Sequence, residues 1–161
     1  MGVGCEKIAQ DVSKAGVDGL LKVDLPPLEA NDFLVHLKAH ELDAIFLVAP
    51  TSTGDRIDKI CNFASGFVYY VSLKGVTGAA SLDVGSVVDK LGQIRSATDL
   101  PIGVGFGIKD AESAAQVAKV ADAVVVGSAI VKLVGENAGD KEKTEARVTA
   151  LLTEMRKAID A

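Results

Sequence analysis

The sequence predicts an α/β fold, with a parallel sheet either covered by helices on both faces or closed on itself as a barrel. Three observations lead there. Short, continuous apolar runs rich in Val, Ile and Leu alternate with segments of helical period from one end of the chain to the other. These runs end at Pro or Gly, where a strand cannot continue. Two of the ends are glycine-rich and lead at once into helix-like segments: Pro101-Ile102-Gly103-Val104-Gly105-Phe106-Gly107-Ile108 and Ala123-Val124-Val125-Val126-Gly127-Ser128-Ala129-Ile130-Val131.

The elements follow in order. Residues 5–15 read as a helix with Ile8, Ala9, Val12 and Ala15 on one face, ended by Gly16. A first strand spans 19–25 and stops at Pro26-Pro27; a helix over 28–39 carries Leu28, Phe33, Val35, Leu37 and Ala39. The second strand, 44–49, is closed by Pro50, and Thr51-Ser52-Thr53 is placed to cap a helix at 54–64. The third strand, 67–72, is followed by a glycine-rich loop over 74–82 and a helix over 84–97. The fourth strand is 101–105, with a helix at 110–119 capped near Asp110; the fifth is 122–126, with a short helix opening at Ser128. After a polar stretch over 135–143, Val148, Leu151, Leu152, Met155 and Ile159 give a last helix, about 143–159, a period near 3.6. No linker divides the 161 residues, which are expected to form a single domain.

Composition narrows the function. Net charge is −5 and Trp is absent, so the chain offers neither a basic field for nucleic acid or an anionic membrane nor stacking platforms for single strands. Cys5 and Cys61 form no Cys-x-x-Cys pair and no Cys/His cluster, so no metal site is expected. His36 and His40, four apart on one helix, read as side chains of a solvated or half-buried face. No apolar run approaches the ~18 residues of a membrane span, and the first residues lack the pattern of a signal peptide, so a cytoplasmic location is expected.

What remains is the pair of glycine-rich strand ends. Glycine lets a ligand approach the backbone, and the start of a helix offers unpaired N–H groups and a positive dipole end. Two such ends on neighbouring parallel strands make a phosphate cup, which in (β/α)8 barrels follows strands 7 and 8. Gly105, Phe106 and Gly107 form one side, and Gly127 and Ser128 the other. Ser72-Leu73-Lys74-Gly75-Val76-Thr77-Gly78-Ala79 has the makings of a loop over such a site, with Gly78 a third N–H donor.

At this point the sequence resembles one family, the tryptophan synthase α subunit. Tyr69-Tyr70-Val71-Ser72-Leu73-Lys74-Gly75-Val76-Thr77-Gly78 resembles its sixth-strand signature; Gly105-Phe106-Gly107-Ile108 and Gly127-Ser128-Ala129-Ile130-Val131 resemble the ends of its seventh and eighth strands. Gly16-Val17-Asp18-Gly19 leading to Val23-Asp24-Leu25-Pro26 resembles its fourth strand, and Ala49-Pro50-Thr51-Ser52 the end of its fifth. The motifs run in order from about residue 5 to the C-terminus.

The resemblance implies a partial (β/α)8 TIM barrel, about five βα units equivalent to strands 4–8, preceded by a helix. It implies the cleavage of indole-3-glycerol phosphate to indole and glyceraldehyde 3-phosphate in tryptophan biosynthesis. Indole then passes to a β subunit, which carries the pyridoxal phosphate; the α subunit has no cofactor of its own. By the resemblance Gly78, Gly107, Gly127 and Ser128 hold the substrate phosphate, with Gly105 and Phe106 shaping that corner. Tyr69 lines the pocket near the indole, Thr77 orients a catalytic aspartate, and Val23, Leu47 or Val48, and Val125 form apolar walls.

The family's two catalytic carboxylates, a glutamate at the second strand and an aspartate on the loop after it, fall upstream of every matched motif. Asp24 is the single acidic residue expected at a strand's C-terminal end. It belongs to the pocket by position, and reads more simply as an acceptor for neighbouring loops than as a replacement acid or base. The expectation is therefore a truncated barrel that keeps the phosphate half of the site and has little activity alone. Its β-subunit contact is expected to be weakened, and its open strand edges to favour self-association. Two alternatives stand beside this: a self-associating half-barrel with a structural role only, and another phosphate-binding barrel enzyme.

Overall fold

The computed structural model describes residues 4–23, 27–72, 84–105 and 107–161. Helices and strands alternate as α1 (Cys5–Lys14), β1 (Gly19–Lys22), α2 (Pro27–Ala39), β2 (Asp43–Val48), α3 (Gly54–Phe63) and β3 (Val68–Val71). Then come α4 (Val84–Arg95), β4 (Ile102–Gly105), α5 (Ala111–Ala118), β5 (Ala123–Val125), α6 (Ser128–Glu136) and α7 (Lys141–Ile159). The strands form one five-stranded sheet in the order β1-β2-β3-β4-β5, the parallel βα succession expected from the sequence.

Two compact units make up the chain. One comprises residues 1–69 with 93–101, the other residues 70–92 with 102–161. In the first, β1 pairs with β2 in parallel from Gly19↔Asp43 to Lys22↔Phe46. Ala44, Ile45, Phe46 and Val48 are all buried, so β2 is covered on both faces, which is why it reads as a continuous apolar run. Ala9 of α1, Phe33 and Leu37 of α2, and Leu42, Ala44 and Phe46 form one core cluster. Deleting a side chain such as Leu37, 1% exposed, costs about 2–5 kcal/mol in cores of this kind.

Helix ends in this unit are fixed by backbone geometry. After α1, Gly16 takes φ 77°, its N–H donates to Ser13 O, and the Val17 N–H donates to Val12 O, the paired bonds of a Schellman stop. The same pair follows α2, where Glu41 N–H donates to Lys38 O and Leu42 N–H to Leu37 O. Here a glutamate, not a glycine, occupies the left-handed position.

The hydroxyl cap expected for α3 takes a different form. Thr53 stands at the N-cap with extended backbone, but its side chain makes no capping bond. Ser52 instead accepts from the Ala49 N–H at 3.1 Å and closes the turn over residues 49–52. With three adjacent hydroxyls, that turn competes for the one that would otherwise cap the helix.

In the second unit β4 pairs with β5 in parallel, from Gly103↔Ala123 to Gly105↔Val125. Ile102 and Val104 are fully buried, and Ala114 and Val117 of α5 are likewise closed off from solvent. The last helix begins earlier than its apolar period suggests. Asp140 accepts from the Lys143 N–H at 2.9 Å and starts α7 at Lys141, inside the stretch expected to be loop. Among the described residues no helix is long and apolar enough to cross a membrane.

Candidate functional site

The two glycine-rich strand ends lie side by side. Gly105, the last residue of β4, is in register with Val125, the last residue of β5, and in the sequence a glycine stands two positions beyond each, Gly107 and Gly127. Gly107 has φ 75°, a conformation that a side chain disfavours, while a Cβ at that position would meet nothing within 4 Å. Gly127 is different. Its φ of −119° suits any residue, and a Cβ there would also meet nothing within 4 Å. Among the described residues no packing contact calls for glycine at 127.

The two following helices start in contrasting ways. Helix α5 is closed by its own capping box: the Asp110 carboxylate accepts from the Ser113 N–H at 2.9 Å and the Ser113 hydroxyl accepts from the Asp110 N–H at 3.3 Å. The donors at Ser113, hydroxyl first and then amide, hold the Asp110 carboxyl below the usual carboxylate range, and the Lys109 charge adds to the effect. Helix α6 has no side-chain cap at Gly127. The Ile130 and Val131 N–H groups donate to Gly127 O at 3.0 and 3.1 Å. The Ser128 and Ala129 amides precede them at the positive end of the helix. Ser128 and Gly127 are both exposed. Of the two helix starts, that of α6 is the one without a side-chain cap.

Ser128 also stands at the rim of a cleft of about 500 Å³ whose other walls include Lys109, Lys132, Glu136, Arg147 and Leu151. Glu136 lies 3.2 Å from Arg147 and 3.8 Å from Lys132, so two of the three cations there face a carboxylate.

Ser72, quoted above within two motifs but given no role of its own, ties this corner to the neighbouring strand. Ser72, just beyond β3 and buried, donates twice to the same acceptor, Gly105 O: its N–H at 3.0 Å and its hydroxyl at 3.1 Å. A single serine after Tyr-Tyr-Val carries no motif of its own, so nothing in the spacing singles it out.

The remaining expected residues are distributed as follows. Gly105 is the buried last residue of β4 and Val125 the half-buried last residue of β5. In the other unit, Tyr69 is half-buried on β3, Leu47 half-buried and Val48 fully buried on β2, and Val23 follows β1 with 62% of its surface exposed. Tyr70 points to the opposite face from Tyr69, and its burial pushes the phenol pKa up. Asp24, Thr77, Gly78 and Phe106 lie outside the described residues. His36 Nε2 lies 3.6 Å from the Asp32 carboxylate one turn away, and the described residues contain no group of three or more metal-ligating side chains. Burial, with the Asp58 charge adding to it, raises the Cys61 thiol pKa.

Five parallel βα units, the last two ending in adjacent glycine turns, define a protein of the (β/α)8-barrel class. Within that class the chain belongs to the tryptophan synthase alpha chain family, whose model matches residues 1–160. It is 60% identical over 158 residues to the tryptophan synthase alpha chain of Thioalkalivibrio sulfidiphilus, covering 98% of this chain and 59% of that relative. It is 52% identical over 159 residues to that of Nitrosococcus oceani, with 99% and 59% covered.

Among solved structures, tryptophan synthase subunit alpha from Legionella pneumophila superposes with a TM-score of 0.82 at 39% identity, covering 98% of this chain and 57% of that one. Mycobacterium tuberculosis tryptophan synthase gives 0.82 at 38% identity, with 97% and 57% covered. The chain therefore spans less than three fifths of the length of these relatives.

Proposed function

We propose that these 161 residues supply the phosphate-binding half of a site that cleaves indole-3-glycerol phosphate to indole and glyceraldehyde 3-phosphate. The observation that carries this reading is the α6 N-terminus, which has no side-chain cap and opens at a glycine that no packing contact among the described residues requires. The Gly107, Ser128 and Ala129 amides and the Ser128 hydroxyl are the donors, with Gly78 joining them from the preceding loop by the family resemblance. A phosphate held there anchors the substrate by a group remote from the bond that breaks, so that the indole end is presented in one orientation. The family resemblance assigns Tyr69, Thr77, Val23, Val125 and Asp24 to the indole side of the substrate pocket.

The acid and base that this cleavage needs are, on this reading, not among the 161 residues. The chain alone binds inorganic phosphate or glycerol 3-phosphate and turns over indole-glycerol phosphate slowly or not at all. The β subunit is the natural partner, with pyridoxal phosphate on its side of the complex, and the setting is cytoplasmic.

The test is titration of the chain with inorganic phosphate, followed through the amide resonances of Gly107, Gly127 and Ser128. Saturable shifts at those amides are expected. Gly127→Ala should fold normally and bind at least tenfold more weakly, about 1.4 kcal/mol. Unchanged affinity in that variant would remove the phosphate seat, and lyase turnover near that of a full-length relative would remove the claim about the missing acid and base.

A second property rests on a separate observation. β1 lies at one end of the sheet order, and Leu21 within it and Val23 just after it are 45% and 62% exposed. An apolar strand at the end of a sheet invites pairing with another chain. The purified chain is expected to scatter light as an assembly larger than its 16.6 kDa mass, and a monodisperse monomer would refute this.

A further inference from the structure

We propose that Ser72 is a positioning residue for the phosphate seat: its hydroxyl fixes the peptide that leaves β4, and so aims the turn that carries Gly107. The inference deepens the proposed phosphate site and rests on it. Gly105 is the last residue of β4, and its carbonyl belongs to the peptide plane that leads out of the strand towards Gly107. In a parallel pair that carbonyl takes one N–H from the neighbouring strand. Here it takes that N–H and a hydroxyl as well, both from Ser72, at 3.0 and 3.1 Å.

The second bond is not needed to satisfy the acceptor, which already has its ladder partner. Its effect is directional. Two donors on one oxygen restrict rotation of the peptide plane more than one does. The restriction acts two residues before Gly107, which holds φ 75°. A Cβ built at Gly107 would meet none of the described residues within 4 Å, and on the far side of the turn Ile108 is buried, so the Ser72 bonds fix the near side of a turn whose far side is already anchored. Ser72 is buried, so its hydroxyl bond competes little with water.

Loss of the hydroxyl is expected to loosen the turn and lower phosphate affinity about threefold to tenfold, as for the loss of one hydrogen bond. The experiment compares inorganic phosphate binding to the 161-residue chain and to Ser72→Ala, Ser72→Cys and Ser72→Thr, together with the Gly107 and Gly127 amide resonances before phosphate is added. Ser72→Cys fills the space of the hydroxyl but donates only weakly, and it serves where Ser72→Ala folds poorly. The proposal expects both to bind phosphate more weakly, to shift or broaden Gly107 while leaving Gly127 in place, and Ser72→Thr to restore binding.

Wild-type affinity in Ser72→Cys, or a Gly107 resonance that does not move, overturns the role of Ser72 while leaving the phosphate site standing. Equal disturbance of Gly107 and Gly127 shows a merely structural serine and also overturns it. A wild-type chain that binds no phosphate overturns the proposed function itself, and with it any purpose for the aim of this turn.

Discussion

Glu41 holds φ 55° at the end of α2, the one non-glycine residue in the left-handed region among those described. The α1 stop solves the same problem with Gly16. The left-handed conformation costs an L-residue roughly 1–2 kcal/mol. Replacing it by glycine gives back about 0.4–1 kcal/mol through the freer unfolded chain. Strain relief wins, and a carboxylate leaves the negative end of the helix dipole as well. Glu41→Gly should therefore stabilise the chain by about 0.5–1 kcal/mol, read as a higher urea midpoint with unchanged slope. A midpoint that stays put or falls would show that the conformation carries no strain. Nothing in the residues around Glu41 announces this position. The sequence shows a charged residue just before Leu42, and only the paired backbone bonds reveal the stop.

At the scale of elements, α5 shows how far a cap can be read in advance. Asp110 followed by Ser113 has the spacing of a reciprocal cap, and the structure makes both bonds. Asp110→Ala should cost about 1 kcal/mol at neutral pH. The carboxyl pKa is lowered on folding, so its contribution is full above the ordinary carboxylate range. It fades as pH falls through that range towards the folded value. Thermal melts of wild type and variant should therefore differ at pH 7 and draw together in acid. A gap that persists unchanged in acid would assign the loss to helix propensity instead of the charge.

The strand and helix succession was legible for the same reason as this cap, since each signal is local. Apolar runs ended by Gly or Pro need no tertiary information. What escaped were choices among equivalent neighbours. Ser52 and not Thr53 uses its hydroxyl on the chain, and Asp140 starts α7 within a run of charged and small residues where no apolar period helps. The glycines of the candidate site were legible as a pair, but Ser72 was not, because its partner Gly105 is 33 residues away.

For the molecule as a whole, the proposed phosphate seat at the uncapped start of α6 would make stability depend on the solvent's anions. This helix has five apolar side chains, from Ala129 to Val134, yet contributes no fully buried residue, so its own packing holds it less firmly than α5 holds itself. An anion that binds only the folded form adds RT ln(1 + [L]/Kd), about 2.7 kcal/mol at a hundred times Kd. The melting temperature should rise with phosphate concentration at constant ionic strength, and chloride should not substitute; identical melts in phosphate and chloride would refute the coupling. For this chain a phosphate buffer would then be a reagent in the folding equilibrium, and its concentration a hidden variable in any comparison of melting points.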